Sequence, residues 1–122
     1  MSEAFAPAAA PVSTTSRHWV ALVTVPSTAD GERIARALVD ERLAACVNVV
    51  PGLRSVYRWQ GAVETADEAL LVIKTTAAAF EALAARVRAL HPYSLPEIIA
   101  LPLAAGLAAY LAWVDEGTAP GC

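Results

Sequence analysis

A strand–helix–strand order that occurs twice constrains the fold of this chain more than any other feature. In the first copy, residues 19–25 and 46–50 are short apolar runs rich in β-branched side chains, typical of buried strands. We expect 19–25 to be buried on both faces. In the second copy, the counterparts are the apolar segment LLVIKT, which ends an extended run over 63–75, and residues 97–101. Two such units predict the α+β class and a ferredoxin-like split sandwich of order β-α-β-β-α-β, with the helices on one face of an antiparallel sheet.

Each predicted helix has a cap residue and an apolar stripe. Ser27 and Asp30 have the spacing of a helix start, and Thr76 can cap the second helix. The stripes recur at helical spacing and comprise Ile34, Ala37, Leu38 and Ala45 in the first helix and Phe80, Leu83, Ala84, Val87 and Leu90 in the second. A short terminal helix carries Tyr110 and Trp113, whose spacing favours packing over ligand binding.

A long hairpin joins the two units. Side chains alternate over residues 53–59, so that Tyr57 and Trp59 point to the same face, and Gln60-Gly61 has the composition of a turn. The tip lies too far along the chain to be covered by the domain's own helices, and an exposed aromatic strand pair is costly in water. Because 57% of the 122 residues are hydrophobic, we expect another subunit to cover this tip.

Length and charge restrict the domain organisation and the partners. We expect one domain at 18–115, between a disordered tail over 1–17 and a C-terminal tail over 116–122. The net charge of −3 without a basic patch argues against nucleic acid, and no apolar run reaches the roughly 20 residues of a membrane helix. The start of the chain lacks the pattern of a signal peptide, and Cys46 and Cys122 do not suggest a disulfide framework. We therefore expect the cytoplasm.

Four segments carry a resemblance to a known family: ERLAACVNVVPGLRSVYRWQGAVE, EALLVIKT, LHPYSLPEIIALP and YLAWV. In order and spacing they resemble the CutA family of divalent-cation tolerance proteins, over residues 19–114. The resemblance implies a ferredoxin-like protomer in a homotrimer, where long strands of one subunit extend the sheet of the next. It also implies a role in tolerance of copper and other divalent cations, with no established catalytic reaction. Because PII-type signal transducers share this architecture, a PII-like signalling or scaffold trimer without metal function is the alternative.

The resemblance also directs attention to possible metal ligands. In some family members the proposed copper ligands are a cysteine near the end of the first strand and histidines before the Pro-Tyr pair. Here Val23 and Leu90 occupy such positions, which leaves His91. One imidazole predicts at most weak binding of a divalent cation such as copper, since these ions require two or more nitrogen or sulfur ligands. Alternatively, His91 caps the second helix, and Cys46 packs as a small apolar side chain.

A second candidate site lies at a predicted subunit boundary. Glu97 opens an apolar strand with Tyr93 close before it, and Lys74, near the end of another apolar strand, is its expected charge partner. The proposed inter-subunit cleft comprises Tyr57, Trp59, Glu64, Lys74, Tyr93 and Glu97. It would bind a divalent cation or a small ligand. The alternative is that these side chains only hold the trimer together.

An enzymatic function finds little support in the sequence. Small ferredoxin-like hydrolases such as acylphosphatases exist, and His91 with Glu97 could in principle form a general-base pair. However, the sequence contains no phosphate-binding glycine loop, no G-x-S-x-G motif and no serine or cysteine with an evident activating partner. We therefore expect a binding protein without catalytic activity.

Overall fold

The computed structural model of this protein describes residues 12–13 and 17–118. In chain order its elements are β1 (Val12–Ser13), β2 (His18–Val25), α1 (Thr28–Asp40), β3 (Cys46–Trp59), β4 (Ala62–Thr76), α2 (Ala77–Leu90), β5 (Ile98–Pro102), β6 (Gly106–Leu107) and α3 (Ala108–Gly117). Four strands form an antiparallel sheet of order β3-β4-β2-β5, and β1 pairs with β6 separately. This strand order confirms the predicted ferredoxin-like α+β fold.

Helices α1 and α2 cover one face of the sheet and enclose the core. Alternate residues of β2 and β4 point toward them, and the strand side chains pair across the ladder, as with Val23 opposite Leu71. The fully buried core side chains include Ala21, Val23, Val25, Ile34, Leu38, Leu71, Ile73, Leu83 and Val87. Each large one contributes about 1.5–3 kcal/mol by leaving water. The predicted stripes are therefore correct except for Ala45, because α1 ends at Asp40.

The caps of both helices match the sequence expectation. The Ser27 hydroxyl accepts a hydrogen bond from the Asp30 backbone N–H over 3.1 Å, and the Thr76 hydroxyl accepts one from Ala79 over 3.2 Å. These bonds satisfy N–H groups that have no partner within the helix, and each typically contributes about 1 kcal/mol. The two short polar side chains therefore fix where α1 and α2 begin.

The opposite face of the sheet is covered only in part by the described residues. Helix α3 reaches it near His18, whose Nε2 lies 2.9 Å from an Asp115 carboxylate oxygen. Further along, Leu22 of β2 is only half-buried, and its neighbours Ile99 and Leu101 on β5 are 50% and 56% exposed. The expectation that residues 19–25 are buried on both faces is therefore wrong for a single chain. We call this surface the open face.

The predicted hairpin is present and longer than the local alternation indicated. Strand β3 continues through Pro51-Gly52, where a register shift between Val50 and Leu53 marks a bulge rather than a break. Gln60 and Gly61 have φ values of 49° and 85°, the left-handed pair of a tight two-residue turn. Near this turn Val56 and Val63 are 67% and 64% exposed, so the helices do not cover the hairpin tip, as the sequence predicted.

The two ends of the chain are described only in part. Within the predicted N-terminal tail, Val12 and Ser13 pair with Leu107 and Gly106. Residues 1–11, 14–16 and 119–122, including Cys122, lie outside the described residues, so the predicted tail boundaries remain predictions. Across the part of the chain that is described, no helix combines the length and apolar character needed to span a membrane.

Candidate functional site

A cleft of about 630 Å³ opens between the outer half of the β3–β4 hairpin and the corner that follows α2. The hairpin contributes alternate side chains from both strands, and the corner contributes five residues in sequence or close to it. The lining residues are Thr24, Ser55, Tyr57, Trp59, Glu64, Glu68, Pro92, Tyr93, Ser94, Leu95 and Glu97. The cleft therefore brings together the hairpin, the corner after α2 and Thr24 of β2, which are distant from one another in sequence.

Five of the six residues predicted for a cleft line this one: Tyr57, Trp59, Glu64, Tyr93 and Glu97. Lys74 does not. Lys74 pairs with Val20 on β2, whereas Ile98, directly after Glu97, pairs with Val23. Three residues along a strand correspond to about 10 Å, so the antiparallel register places Lys74 well away from Glu97. The expected pairing of these two charges is wrong within the chain.

Glu68 is the central polar residue of the cleft, and the sequence did not identify it. One carboxylate oxygen accepts a hydrogen bond from the Ser55 hydroxyl over 2.6 Å, and the other accepts one from the Tyr93 hydroxyl over 2.9 Å. Glu68 therefore connects the hairpin to the corner. The spacing along the strands could have indicated both residues. Ser55 precedes Tyr57 by two residues and Glu68 follows Glu64 by four, so each pair lies on one face of its strand.

The environment of Tyr93 raises the pKa of its phenol to about 12. Burial is the largest cause, followed by the hydrogen bond to the Glu68 carboxylate and the negative charge of that group. At neutral pH the hydroxyl therefore remains protonated and donates to Glu68. This keeps the Tyr93 ring in place as one wall of the cleft.

His91 links the corner after α2 to strand β2. Its ring Nε2 lies 2.7 Å from the Thr24 carbonyl oxygen, and its Nδ1 accepts a hydrogen bond from the Tyr93 backbone N–H over 3.1 Å. This pattern assigns the neutral tautomer that carries its proton on Nε2. The His91 backbone N–H also bonds to the Val87 carbonyl and so caps α2. Both ring nitrogens are thus engaged in the structure of the corner.

The geometry does not support His91 as a metal ligand, because a metal would displace one of these two hydrogen bonds. Val23 is fully buried in the core, and Leu90 is a partly buried side chain that packs against the core cluster. Cys46 is a free, half-buried thiol whose sulfur lies 3.9 Å from the Asn48 amide nitrogen. Among the described residues, no group of three or more His, Cys, Asp or Glu side chains is placed to hold a metal ion.

The fold and the cleft define a class of protein: small ferredoxin-like α+β proteins with an extended central hairpin and a cleft beside its outer half. The family model of the CutA1 divalent ion tolerance protein matches residues 19–117. The chain therefore belongs to the CutA1 divalent ion tolerance family, as the sequence resemblance predicted.

Relatives and solved structures agree with this assignment. The divalent-cation tolerance protein CutA of Thermus thermophilus is 60% identical over 99 residues, which cover 81% of this chain and 96% of that protein. The chloroplastic protein CutA 1 of Oryza sativa is 48% identical over 106 residues, covering 87% of this chain and 60% of that protein. The Thermus structure superposes with a TM-score of 0.82 at 58% identity, covering 83% and 98% of the two chains. A structure of the periplasmic divalent cation tolerance protein CutA from Archaeoglobus fulgidus gives 0.81 at 39% identity, covering 83% and 98%.

Proposed function

We propose that this protein is a homotrimer that binds a divalent cation or a small ligand in clefts at its subunit boundaries and takes part in divalent-cation tolerance without catalysis. The observation that carries the proposal is the cleft beside the hairpin. Three carboxylates line it, and the described lining residues include no Lys, Arg or His to neutralise them. Such a site attracts positive charge.

The open face supports assembly. Beyond Ile99 and Leu101, Tyr57 and Trp59 on the same side of the hairpin are 42% and 43% exposed. In addition, β3 lies at the edge of the sheet and leaves a row of backbone groups available for pairing. Surfaces of this kind favour a stable protein–protein interface. The choice of a trimer rests on the family resemblance.

The ligand chemistry of the cleft favours oxygen-binding cations over copper. Its carboxylates suit Mg²⁺, Ca²⁺ or Mn²⁺, whereas copper prefers imidazole and sulfur ligands. His91 is engaged elsewhere, and Cys46 is not among the residues that line the cleft. We therefore propose that copper binds weakly.

The absence of catalysis and the cellular location also belong to the proposal. The suggested general-base pair of His91 and Glu97 gains no support, because the His91 Nε2 is occupied by the Thr24 carbonyl oxygen. We place the protein in the cytoplasm because its cysteines show no disulfide pattern. Relatives carry chloroplastic and periplasmic in their names, so location varies among similar proteins.

Two measurements on the full chain test the proposal. Sedimentation equilibrium should give three times the 12.7 kDa chain mass. Calorimetric titration with Mg²⁺, Ca²⁺, Zn²⁺ and Cu²⁺ should show binding that Glu64→Gln with Glu97→Gln abolishes. Glu81→Gln, an exposed carboxylate on α2 outside the cleft, is the matched control and should bind as wild type does. A monomer would contradict the assembly, and a trimer that binds none of these ions would favour the scaffold alternative.

A further inference from the structure

The size of the cleft leaves room for a small molecule and not only for a single ion. At about 630 Å³ it falls within the range of about 300–1,000 Å³ that is usual for small-molecule sites. Among the described residues no set of three or more acidic, histidine or cysteine side chains converges closely enough for a metal ion. The carboxylates are instead spread along the walls of the cleft, which suits a ligand with several contact points.

Three aromatic rings form much of these walls. Tyr57, Trp59 and Tyr93 all line the cleft, and they remain 42%, 43% and 36% exposed, respectively. The faces of such rings are electronegative and attract cations, with Trp the most effective. The rings therefore add a second feature, independent of the carboxylates, that selects a positively charged group with an apolar surface.

The three carboxylates of the cleft differ in how many hydrogen bonds they already accept within the protein. Glu68 accepts hydrogen bonds from Ser55 and Tyr93. Over residues 17–118 the side-chain carboxylates of Glu64 and Glu97 form no hydrogen bond or ion pair. Both also lack a basic neighbour among the described lining residues. The cleft thus holds two carboxylates that are free to pair with a donor.

From these three observations we infer that the cleft binds a small organic cation carrying an ammonium or guanidinium group. The aromatic rings contact the cation and its methylene groups, and Glu64 and Glu97 accept hydrogen bonds from its N–H donors. A neutral ligand would leave these charges uncompensated, and an anion would be repelled. This inference rests on the proposed function for the placement of the cleft at a subunit boundary and specifies the class of its ligand.

The test uses agmatine, which carries both cationic groups, with 1,4-butanediol as the neutral comparison. Calorimetric titration of the full-chain protein at neutral pH should show agmatine binding and no butanediol binding. Glu64→Gln and Glu97→Gln should each weaken agmatine binding about fivefold or more, and Trp59→Phe, which keeps a ring in the same place, should weaken it less. Glu81→Gln is the control and should leave the affinity unchanged.

Several outcomes would overturn the inference. They are equal binding of agmatine and butanediol, equal agmatine affinity in wild type and both glutamine variants, or no agmatine binding. The absence of agmatine binding is also the result expected if an arginine from a second copy of the chain fills the cleft. If the protein is trimeric and binds Mg²⁺ or Ca²⁺ but not agmatine, the proposed function stands and this inference fails. If agmatine binds as described to a monomer, the inference on ligand class stands and the proposed assembly fails.

Discussion

The Glu68 carboxylate accepts a hydrogen bond from the Tyr93 hydroxyl over 2.9 Å and thereby joins the middle of β4 to the corner after α2. The same tyrosine is held at its other end, where its backbone N–H donates to Nδ1 of His91. Its ring also lies against the His91 ring, with centroids 4.8 Å apart. Tyr93 is therefore fixed before any ligand arrives, and this lowers the entropic cost of binding.

The first prediction concerns the ionisation of Tyr93. Replacing Glu68 with Gln removes a negative charge next to the phenol, so the pKa of Tyr93 should fall from about 12 toward its ordinary value. The fall should be partial, because burial is the largest cause of the shift and remains. Phenolate absorbance during alkaline titration measures this change, and Tyr93→Phe identifies which transition belongs to this residue. Identical titrations of wild type and Glu68→Gln would contradict the hydrogen bond.

The same shift predicts how stability depends on alkaline pH. The folded pKa of Tyr93 lies above the value of about 10 expected in the unfolded chain. Its neutral phenol therefore contributes stability that is fully present below about pH 10 and is lost as the pH rises toward about 12. In Tyr93→Phe this loss should be absent, as measured by the free energy of unfolding in urea across this range. An unchanged slope in that variant would exclude Tyr93 as its cause.

The second prediction concerns assembly through the hairpin tip. Trp59→Glu should dissociate or aggregate the protein, because the proposed trimer covers this side chain further. Removing a buried aromatic side chain costs about 3–5 kcal/mol before any penalty for the new charge. Arg58→Glu changes the neighbouring residue on the opposite face of β3 and serves as the control. Sedimentation equilibrium and thermal melting would measure both variants. A Trp59→Glu protein with unchanged mass and melting temperature would show that the tip is exposed to solvent.

Most of the fold could be predicted because its signals are local. Alternation marks β3 and β4, and the caps at Ser27 and Thr76 mark the helix starts, so each element is recognisable within about ten residues of sequence. The error at Ala45 arose because the apolar spacing continued past the end of α1 at Asp40. The open face was missed because a hydrophobic strand has the same composition whether its second face is covered by its own chain or by a partner.

The candidate site was less predictable because its contacts are distant in sequence. Five cleft residues were identified from their chemical types, but Lys74 was misplaced because local spacing does not show the register in which β4 and β5 pair with β2. The spacing of Glu64 and Glu68 placed Glu68 on the same face of its strand, but it did not reveal the partners Ser55 and Tyr93, which lie 13 and 25 residues away. Such pairings depend on register, which only the assembled sheet defines.

The third prediction concerns the turn that sets the hairpin register. Gly61 has a φ of 85°, and a Cβ atom added there would meet no other atom within 4 Å. Gly61→Ala would therefore strain only the backbone and should destabilise the protein by about 1 kcal/mol. Gln60 also has a left-handed φ, of 49°, which asparagine adopts more readily. Gln60→Asn should therefore raise the free energy of unfolding slightly. Urea unfolding should therefore show a loss of stability in Gly61→Ala and a gain in Gln60→Asn. A loss of stability in Gln60→Asn would contradict the left-handed conformation of Gln60.

The fourth prediction separates the structural role of His91 from a metal-binding role. His91→Ala would leave the Thr24 carbonyl oxygen and the Tyr93 backbone N–H without their present partners. Each group left without a partner costs about 1–3 kcal/mol, so we expect the free energy of unfolding to fall by about 2–6 kcal/mol. Because both ring nitrogens are already engaged, copper affinity measured by calorimetry should be the same in wild type and variant.

Two conservative variants distinguish the two hydrogen bonds of His91. Asparagine retains an acceptor close to the position of Nδ1, and glutamine retains a donor close to the position of Nε2, so each should recover part of the stability that alanine loses. The structural role also predicts a readout in the cleft, since releasing the Tyr93 N–H should loosen the corner and lower the pKa of the Tyr93 phenol as its burial decreases. If His91→Ala instead lost copper binding while its stability and the Tyr93 titration stayed as in wild type, His91 would be a ligand and not the support of this corner.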